Sequence, residues 1–297
     1  YKACSNYINQ TSADIVVLEH EFGLFGGEDG NYILELVLNL NKPLITCFHS
    51  ILPTPTNNQK YIMQELIKKS KASVAMSKTS QKTLVELYGC KQEESIVIQH
   101  GVHDFTFSDT SIAKTNIKLA TDFMIMISGL LGPGKGFEYV IEAMPEIIRR
   151  YKNTKLYIIG ETHPGILQNG GQKYEDILQK KIDQLDIQNN VIMINHFIEL
   201  NQLLDYYKAA DVYITPHLDP QQASSGTLAK AIGAGKVCIS TPYNYAKEIL
   251  ADEVGILVPF NNSTNISKSI IEVIENEDLY DKYRRNAYKV GKTMQWP

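Results

Sequence analysis

The chain has 297 residues, of which 43% are hydrophobic and 21% are charged, and its formal net charge is −4 at pH 7. This length accommodates two domains of ordinary size, and the composition is that of a globular protein. A net negative charge gives no broad attraction to nucleic acid, so no nucleic-acid partner is expected. The longest apolar runs, such as residues 15–18 and 123–127, are far shorter than the roughly 20 residues that span a bilayer.

Four cysteines, Cys4, Cys47, Cys90 and Cys238, are scattered without the CxxC spacing of a metal or redox site. They are predicted to be reduced and mostly buried, which favours a cytoplasmic location. No signal peptide is recognised. Because the first residue is Tyr1 and the chain stops just after a helical pattern, we expect a fragment that lacks the N-terminus and residues beyond its C-terminus.

Short apolar runs alternate with amphipathic helical patterns along almost the whole chain. The predicted strands are residues 15–18, 44–48, 73–76, 96–98, 123–127, 155–159, 191–194, 212–214, 237–240 and 255–258. The predicted helices are residues 31–40, 58–70, 80–87, 136–151, 173–185, 200–209, 227–234 and 263–274. This alternation predicts an α/β protein whose parallel sheets are covered by helices on both faces.

A polar stretch over residues 101–121 is rich in Asp, Ser and Thr and lacks sustained periodicity. A fresh strand pattern follows it, so we place the domain boundary within this stretch. The first domain, residues 1–112, is predicted to hold only the later strands of a Rossmann-like fold. The second domain, residues 113–297, is predicted to be nearly complete.

A glycine-rich loop, residues 129–136, follows one predicted strand and opens a predicted helix. Glycines such as Gly132 and Gly134 let the backbone approach a phosphate, and Lys135 adds a positive charge. The spacing approaches that of a Walker A loop. However, Gly136 stands where that loop needs Ser or Thr to hold magnesium, which disfavours a P-loop NTPase. The structural alternative is a glycine-rich turn with a solvated lysine.

Residues 216–242, PHLDPQQASSGTLAKAIGAGKVCISTP, have the pattern of a loop, a helix start, a helix and a buried strand. Ser224, Ser225 and Thr227 lie where the helix should begin, and Gly226 keeps the backbone narrow there. Free backbone N–H groups and hydroxyls at such a start can bind an anion. A capped structural helix is the alternative interpretation.

Two further polar residues of this segment have open roles. Gln222 is placed to hydrogen-bond a sugar hydroxyl or to point into solvent. Lys230 lies one helical turn beyond Gly226, so it either shares the face that points at a ligand or is an ordinary exposed lysine.

Histidines follow two predicted strands of the first domain. His20 comes after the strand at 15–18, and His49 comes after the strand at 44–48. Binding sites collect at the carboxyl ends of parallel strands. A lone histidine is more often a structural residue than a catalyst, but two at equivalent positions strengthen the functional interpretation. Their spacing matches no zinc site, and no metal is expected.

Four ordered segments carry a resemblance to a known family. They are TCFHS (46–50), VIQHGV (97–102), GLLGPGKGFEYVIEAM (129–144) and ADVYITPHLDPQQASSGTLAKAIGAGKVCISTP (210–242). In order and spacing, over nearly the whole chain, they resemble glycosyltransferase family 4. The resemblance implies the GT-B fold, in which two Rossmann-like domains face each other across a cleft. The N-terminal domain presents the acceptor, and the C-terminal domain binds a nucleotide-sugar.

The resemblance also implies an enzyme, a metal-independent hexosyltransferase that moves a sugar from a nucleoside diphosphate donor to a sugar or glycan acceptor with retained anomeric configuration. No cofactor is implied besides the donor, which is a substrate. His49 matches a catalytic histidine beside the donor sugar, and Lys135 matches the lysine that neutralises the diphosphate. The other expected donor-binding residues are Gly132, Gly134, Gln222, Ser224, Ser225, Gly226, Thr227 and Lys230. Peripheral membrane association, which is common in the family, and the oligomeric state stay open.

Three positions depart from the family pattern. Leu130 stands where the family has an arginine, and Gln222 and Lys230 stand where it has two glutamates. Because a lysine accepts no hydrogen bonds, recognition of the ribose there must differ. The SSGTL sequence (224–228) looks like the trait of a variant branch. The departures leave two alternatives: a catalytically silent GT-B protein that binds a nucleotide or glycan, and a GT-B sugar phosphorylase that uses inorganic phosphate.

Overall fold

A computed structural model of the chain describes residues 1–162 and 173–296. These residues form two compact units. The first contains residues 1–100 and 221–224, and the second contains residues 101–220 and 225–297. Each unit is built on one parallel sheet.

The first unit has a four-stranded sheet in the order β1-β2-β3-β4 within the described chain. Its strands are β1 (Val16–His20), β2 (Leu44–Phe48), β3 (Ser70–Ala75) and β4 (Ser95–Val97). Its helices are α1 (Lys2–Gln10), α2 (Ile33–Leu38), α3 (Asn57–Lys69) and α4 (Lys78–Glu86). The core lies between the sheet and helices α2 to α4, where Phe48, Ile62 and Leu66 are fully buried.

The second unit has a six-stranded sheet flanked by helices, as far as the described residues extend. Its strands are β5 (Phe123–Ser128), β6 (Thr154–Ile159), β7 (Val191–Ile194), β8 (Val212–Thr215), β9 (Val237–Ser240) and β10 (Gly255–Leu257). Its helices are α5 (Thr110–Asn116), α6 (Phe137–Arg150), α7 (Lys173–Gln184), α8 (Leu200–Ala209), α9 (Gly226–Gly233), α10 (Asn244–Ile249), α11 (Ser263–Glu275) and α12 (Glu277–Lys292).

Alternate residues of the central strands enter two separate cores. Met124 and Met126 of β5 pack in one apolar cluster, whereas Ile125 and Ile127 pack in the other. Successive side chains of a strand point to opposite faces of a sheet, so both faces are covered. This confirms the predicted α/β architecture with parallel strands buried on both sides.

The strand order of the second unit is β10-β9-β8-β5-β6-β7. From β5 the chain builds outward through β6 and β7, and then returns to place β8 on the other side of β5. The connections after β5 and β8 therefore leave in opposite directions, which opens a crevice at the carboxyl ends of these two strands. In open α/β sheets this switch point is the usual ligand site.

Every predicted strand and helix is present, with bounds that shift by a few residues, but within residues 1–162 and 173–296 four helices were missed. These are α1, α5, α10 and α12. Helix α5 lies inside the stretch 101–121 that was predicted to be an irregular linker. Its buried side chains are Thr110, Ala113 and Lys114, so it has no apolar stripe from which a helix could be predicted.

The two units change over at residues 100 and 101, before the predicted boundary at 112 and 113. The residues between these positions pack on the second unit. The Val102 N–H donates to the Met294 carbonyl at 2.9 Å, and the Thr110 hydroxyl donates to Asp211 at 2.5 Å.

All four cysteines are free thiols. Cys90 and Cys238 are buried, Cys47 is half-buried and Cys4 is exposed. Over the described part of the chain, no helix combines the length and the apolar character that crossing a membrane requires.

Asp211 is the central buried charge of the second unit, with 3% of its surface exposed. Its Oδ2 lies 2.5 Å from the Lys114 ammonium and accepts the Met124 N–H at 2.6 Å. Its Oδ1 accepts hydroxyls from Thr110 at 2.5 Å and Tyr280 at 3.0 Å. A buried carboxylate is tolerated only when it is paired and hydrogen-bonded in this way. The carboxylate thereby joins α5, β5 and α12 to the start of β8.

We expect Asp211→Ala to lower the free energy of unfolding by about 3–5 kcal/mol, because the buried Lys114 ammonium would lose its carboxylate and keep only the Asp122 carbonyl. Urea unfolding followed by circular dichroism measures this loss. Asp205→Ala is the matched control, since the Asp205–Lys208 pair is solvent-exposed and should contribute less than about 1 kcal/mol. Equal losses in the two variants would contradict the role given to Asp211.

Candidate functional site

Two loops meet at the switch point of the second unit. The glycine-rich loop, residues 129–136, follows β5, and the loop that begins at Pro216 follows β8. The Leu218 N–H donates to the Gly134 carbonyl at 2.9 Å. The hydrogen bond fixes the two loops to each other at the carboxyl ends of adjacent strands.

Glycine is required at two contacts of the glycine-rich loop. Gly136 has a φ of +71°, and a Cβ there would lie 2.1 Å from the Pro216 carbonyl oxygen. A Cβ on Gly160 would lie 2.0 Å from the Gly129 carbonyl oxygen. At Gly134, by contrast, an added Cβ would meet no described atom within 4 Å. The backbone at Gly134 therefore faces open space, as a loop that contacts a phosphate must.

Lys135 lies half-buried on this loop, and His217 is the neighbouring polar group. Only 8% of His217 is exposed. Its ring packs edge-on against Tyr243 at 5.5 Å, and its carbonyl accepts the Thr241 hydroxyl at 2.5 Å. Burial and the charge of Lys135 lower the pKa of His217 to about 3, so its ring is uncharged at neutral pH. A cation beside an uncharged ring that is able to donate a hydrogen bond suits an anionic ligand.

His217 was not among the residues predicted from the sequence. It follows the end of β8 by two positions, and His49 follows the end of β2 by one. The same argument about strand ends would have found it. What the sequence did not show is its burial, which depends on Thr241 and Tyr243.

Helix α9 begins beside the glycine-rich loop. Ser225 is its N-cap, and the Ser225 hydroxyl accepts the Leu228 N–H at 3.3 Å. The Thr227 methyl lies 3.8 Å from the position of a Cβ on Gly129. The first turn, from Gly226 onward, offers N–H groups without intrahelical partners. The structure thus brings Ser225, Gly226 and Thr227 together with the predicted phosphate loop.

A network of buried hydroxyl groups contacts the first turn of α9. The Ser128 hydroxyl lies 2.9 Å from the Tyr207 hydroxyl and 3.0 Å from that of Tyr213. The Tyr207 hydroxyl also reaches the Thr227 carbonyl at 3.3 Å. Burial raises the pKa of Tyr207 well above its usual value, so its hydroxyl keeps its proton. The network links the end of β5 to the first turn of α9.

Lys230 lies on α9 one turn beyond Gly226, as predicted, and is half-buried. Burial lowers the pKa of its ammonium group. Among the residues that the structure describes, no carboxylate forms an ion pair with it. Its charge is therefore available to an anionic ligand.

Gln222 and Ser224 do not join the α9 group. Residues 221–224 belong to the first unit. The Ser224 hydroxyl donates to the His49 carbonyl at 3.1 Å, and the Gln222 amide donates to the Ser224 carbonyl at 2.9 Å. Ala223 packs against the first unit's core. The first unit's segment ends at Ser224, and the helix N-cap is the next residue, Ser225. The predicted cluster of Ser224, Ser225 and Thr227 is therefore divided between the units.

The first unit carries His49 at the end of β2. The His49 Nε2 lies 2.7 Å from Glu19 Oε2, and the His49 N–H donates to the His20 carbonyl at 2.9 Å. The His49 side chain is 31% exposed. Next to it, the Ser50 hydroxyl donates to the Glu21 carboxylate. Glu19 was not predicted from the sequence, because its partner lies 30 residues away.

His20 differs sharply from His49. It is fully buried, and its ring packs against Phe22 at 5.1 Å, Phe25 at 5.9 Å and Phe48 at 5.6 Å. Neither ring nitrogen has a hydrogen-bond partner among the described residues. Burial, with a smaller effect from His49, lowers the pKa of His20 to about 4. His20 is therefore an uncharged member of an aromatic cluster beneath the strand ends.

Comparisons with known proteins place these features in context. The sequence matches the family described as glycosyl transferases group 1 over residues 108–290. It is 26% identical over 251 residues to an uncharacterized glycosyltransferase of Methanocaldococcus jannaschii, covering 74% of this chain and 60% of the relative. It is 21% identical over 262 residues to the phosphatidyl-myo-inositol mannosyltransferase of Mycolicibacterium smegmatis, covering 86% of this chain and 62% of the relative. The chain thus spans about three fifths of the length of these curated relatives.

The fold is similar to two solved structures. One is HepE of Anabaena in complex with UDP, with a TM-score of 0.76 and 18% identity over 98% of this chain and 78% of the other. The second is sucrose-phosphate synthase from Thermosynechococcus elongatus, with a TM-score of 0.79 and 15% identity over 99% of this chain and 73% of the other. These similarities confirm the predicted GT-B fold class.

We expect His20→Phe to make stability less sensitive to acid. The folded-state pKa of about 4 lies below the ordinary histidine pKa of 6.5, so between these values the unfolded chain binds a proton that the folded chain does not. The free energy of unfolding therefore decreases as the pH is lowered through this window, by up to about 1.4 kcal/mol per pH unit from this group. Urea unfolding of wild type and variant at pH 7 and at pH 5 measures the difference.

The control for this prediction is His196→Phe, which makes the same substitution at an exposed position. It should leave the pH dependence of the wild type unchanged. The same pH slope in wild type and His20→Phe would mean that His20 is not held uncharged in the folded protein.

Proposed function

Because the chain belongs to the glycosyl transferases group 1 family, we propose that the protein transfers a sugar from a nucleoside diphosphate-sugar donor to a sugar or glycan acceptor. The anomeric configuration is retained and no metal takes part. The observation that carries the proposal is the meeting of the glycine-rich loop with the start of α9 at the switch point of the second unit. We further propose membership of family 4 within this fold class.

The chemistry of the donor explains why such a site is needed. The leaving group is a nucleoside diphosphate, and negative charge develops on its oxygens as the bond to the sugar breaks. Groups placed beforehand around that charge stabilise the transition state. Lys135 supplies a positive charge, and the N–H groups at Gly226 and Thr227 supply donors that need no reorganisation. Gly132 and Gly134 let the backbone come close to the phosphates.

The uncharged ring of His217 complements Lys135. A second full charge beside Lys135 would repel it, whereas a neutral imidazole adds a hydrogen-bonding group at no electrostatic cost. Lys230 adds a cation further along α9. At Lys230, where the family pattern has an acidic residue, this chain therefore offers an ammonium group to the donor, whereas the Gln222 amide donates to the Ser224 carbonyl.

The named relatives support a nucleotide-sugar donor without specifying it. HepE was solved with UDP, with UDP and glucose, and with UDP-glucose. The relative from Mycolicibacterium smegmatis is named a mannosyltransferase. UDP-glucose and GDP-mannose are therefore the first donors to test. We also propose a cytoplasmic location, which the four free cysteines support.

The decisive experiment measures transfer from a panel of UDP- and GDP-sugars to sugar acceptors, together with calorimetric titration of UDP and GDP. We expect turnover with at least one donor and binding of the matching nucleotide. The absence of both turnover and nucleotide binding would overturn the proposal. Nucleotide binding without transfer or donor hydrolysis would indicate a silent binding protein, and phosphate-dependent cleavage of a disaccharide would indicate a phosphorylase.

We expect Lys135→Ala to weaken nucleotide diphosphate binding more than Lys230→Ala does. Lys135 lies on the loop that we assign to the diphosphate, and loss of a hydrogen bond to a charged group typically costs about tenfold or more in affinity. Titration of UDP or GDP into the two variants gives the comparison, with urea unfolding as the check on folding. A larger loss in Lys230→Ala would show that the diphosphate lies elsewhere.

A further inference from the structure

Three hydrogen bonds within the first unit hold His49. Its N–H donates to the His20 carbonyl at 2.9 Å, and its carbonyl accepts the Ser224 hydroxyl at 3.1 Å. Its side-chain Nε2 lies 2.7 Å from a carboxylate oxygen of Glu19. The backbone and one ring nitrogen are thus fixed. The second ring nitrogen, Nδ1, has no recorded hydrogen bond within the described ranges.

The partner of Nε2 determines the chemistry of Nδ1. An ionised carboxylate only accepts hydrogen bonds, so the shared proton lies on Nε2. In the uncharged ring the lone pair is then on Nδ1, which makes Nδ1 an acceptor. A histidine held in this way offers an acceptor at a strand end, where ligands of parallel sheets collect.

We propose that Glu19 is a positioning residue that fixes His49 in the Nε2–H tautomer, so that Nδ1 accepts a hydrogen bond from a hydroxyl group of the sugar substrate. This rests on the proposed glycosyl transfer. Sugars are rich in hydroxyl donors, and the geometry gives one defined place for such a donor to bind.

The strand register explains how Glu19 reaches His49. Glu19 of β1 pairs with Cys47 of β2, and His49 lies two residues after Cys47, directly after the end of β2. Burial and Glu19 raise the pKa of the Cys47 thiol to about 11. The thiol therefore keeps its proton and adds no second negative charge beside Glu19. The carboxylate remains free to accept from the imidazole.

The Glu19–His49 pair is exposed, so its loss can be tested without a large loss of stability. Glu19 is 60% exposed and His49 is 31% exposed at the side chain, and ion pairs at such positions contribute little to stability. Glu19→Ala should therefore fold as the wild type does. Glu86→Ala is the matched control, because Glu86 also forms an exposed pair, with Lys82 on α4.

The first test reads the tautomer directly, by NMR of the imidazole nitrogens in protein labelled with 15N-histidine. His49→Gln identifies the His49 signals. We expect the Nε2–H form in the wild type, in Glu86→Ala and in Glu19→Gln, whose amide oxygen still accepts, and a mixture of tautomers in Glu19→Ala. The Nδ1–H form in the wild type, or an unchanged tautomer in Glu19→Ala, would overturn the proposal.

The second test uses the most active donor from the panel. We expect Glu19→Ala to lower kcat about tenfold with little change in donor KM, and Glu19→Gln to recover most of the loss. In a His49→Ala background, Glu19→Ala should have no further effect, because Glu19 acts through His49.

Equal losses from Glu19→Ala in the wild type and in His49→Ala would overturn the proposal. No turnover with any donor would overturn the proposed function and the substrate contact with it. The NMR result would still decide whether Glu19 sets the tautomer, so the two failures are distinguishable.

Discussion

The carboxylate of Asp211 is the constraint on which the second unit depends. It precedes β8 and accepts the Met124 N–H of β5, so it fixes how far β8 lies along β5. The two strands then pair with Ile125 opposite Val212. A shift of β8 along β5 would leave the buried Asp211 carboxylate unpaired. Such a shift would therefore cost more free energy than it would if only apolar side chains lay between the strands. Because Asp211 fixes the amino ends of β5 and β8 relative to each other, the glycine-rich loop and the loop after β8 meet at the carboxyl ends of the same strands.

Most of the fold follows from the apolar pattern of the sequence. Each strand that is buried on both faces appears as a short apolar run, and each amphipathic helix appears as a repeat of 3.6 residues. Helices α5 and α12 escape this reasoning because they bury polar groups. Lys114 of α5 pairs with Asp211, and Arg284 of α12 donates to the Ser108 and Gly235 carbonyls. Whether such a residue is buried depends on partners that sequence spacing does not reveal.

The candidate site divides in the same way. The glycine-rich loop and the cap at Ser225 are local features, since their chemistry is set by the neighbouring residues in the chain. The roles of Glu19 and His217 arise from packing. Glu19 meets His49 through strand pairing, and His217 is buried by Tyr243 and Thr241. Ser224 shows the limit of local reasoning, because it directly precedes the helix N-cap Ser225 and yet its hydroxyl donates to the His49 carbonyl.

Residues 221–224 also bear on how the chain can be divided. The backbone leaves the second unit after Pro220, contributes four residues to the first, and returns at Ser225. The chain therefore passes between the units three times, and no single cut yields both units intact. A second unit expressed alone would carry Ala223 and Ser224 without the apolar core and the carbonyl that they contact. An intact first unit can therefore be exchanged only together with residues 221–224.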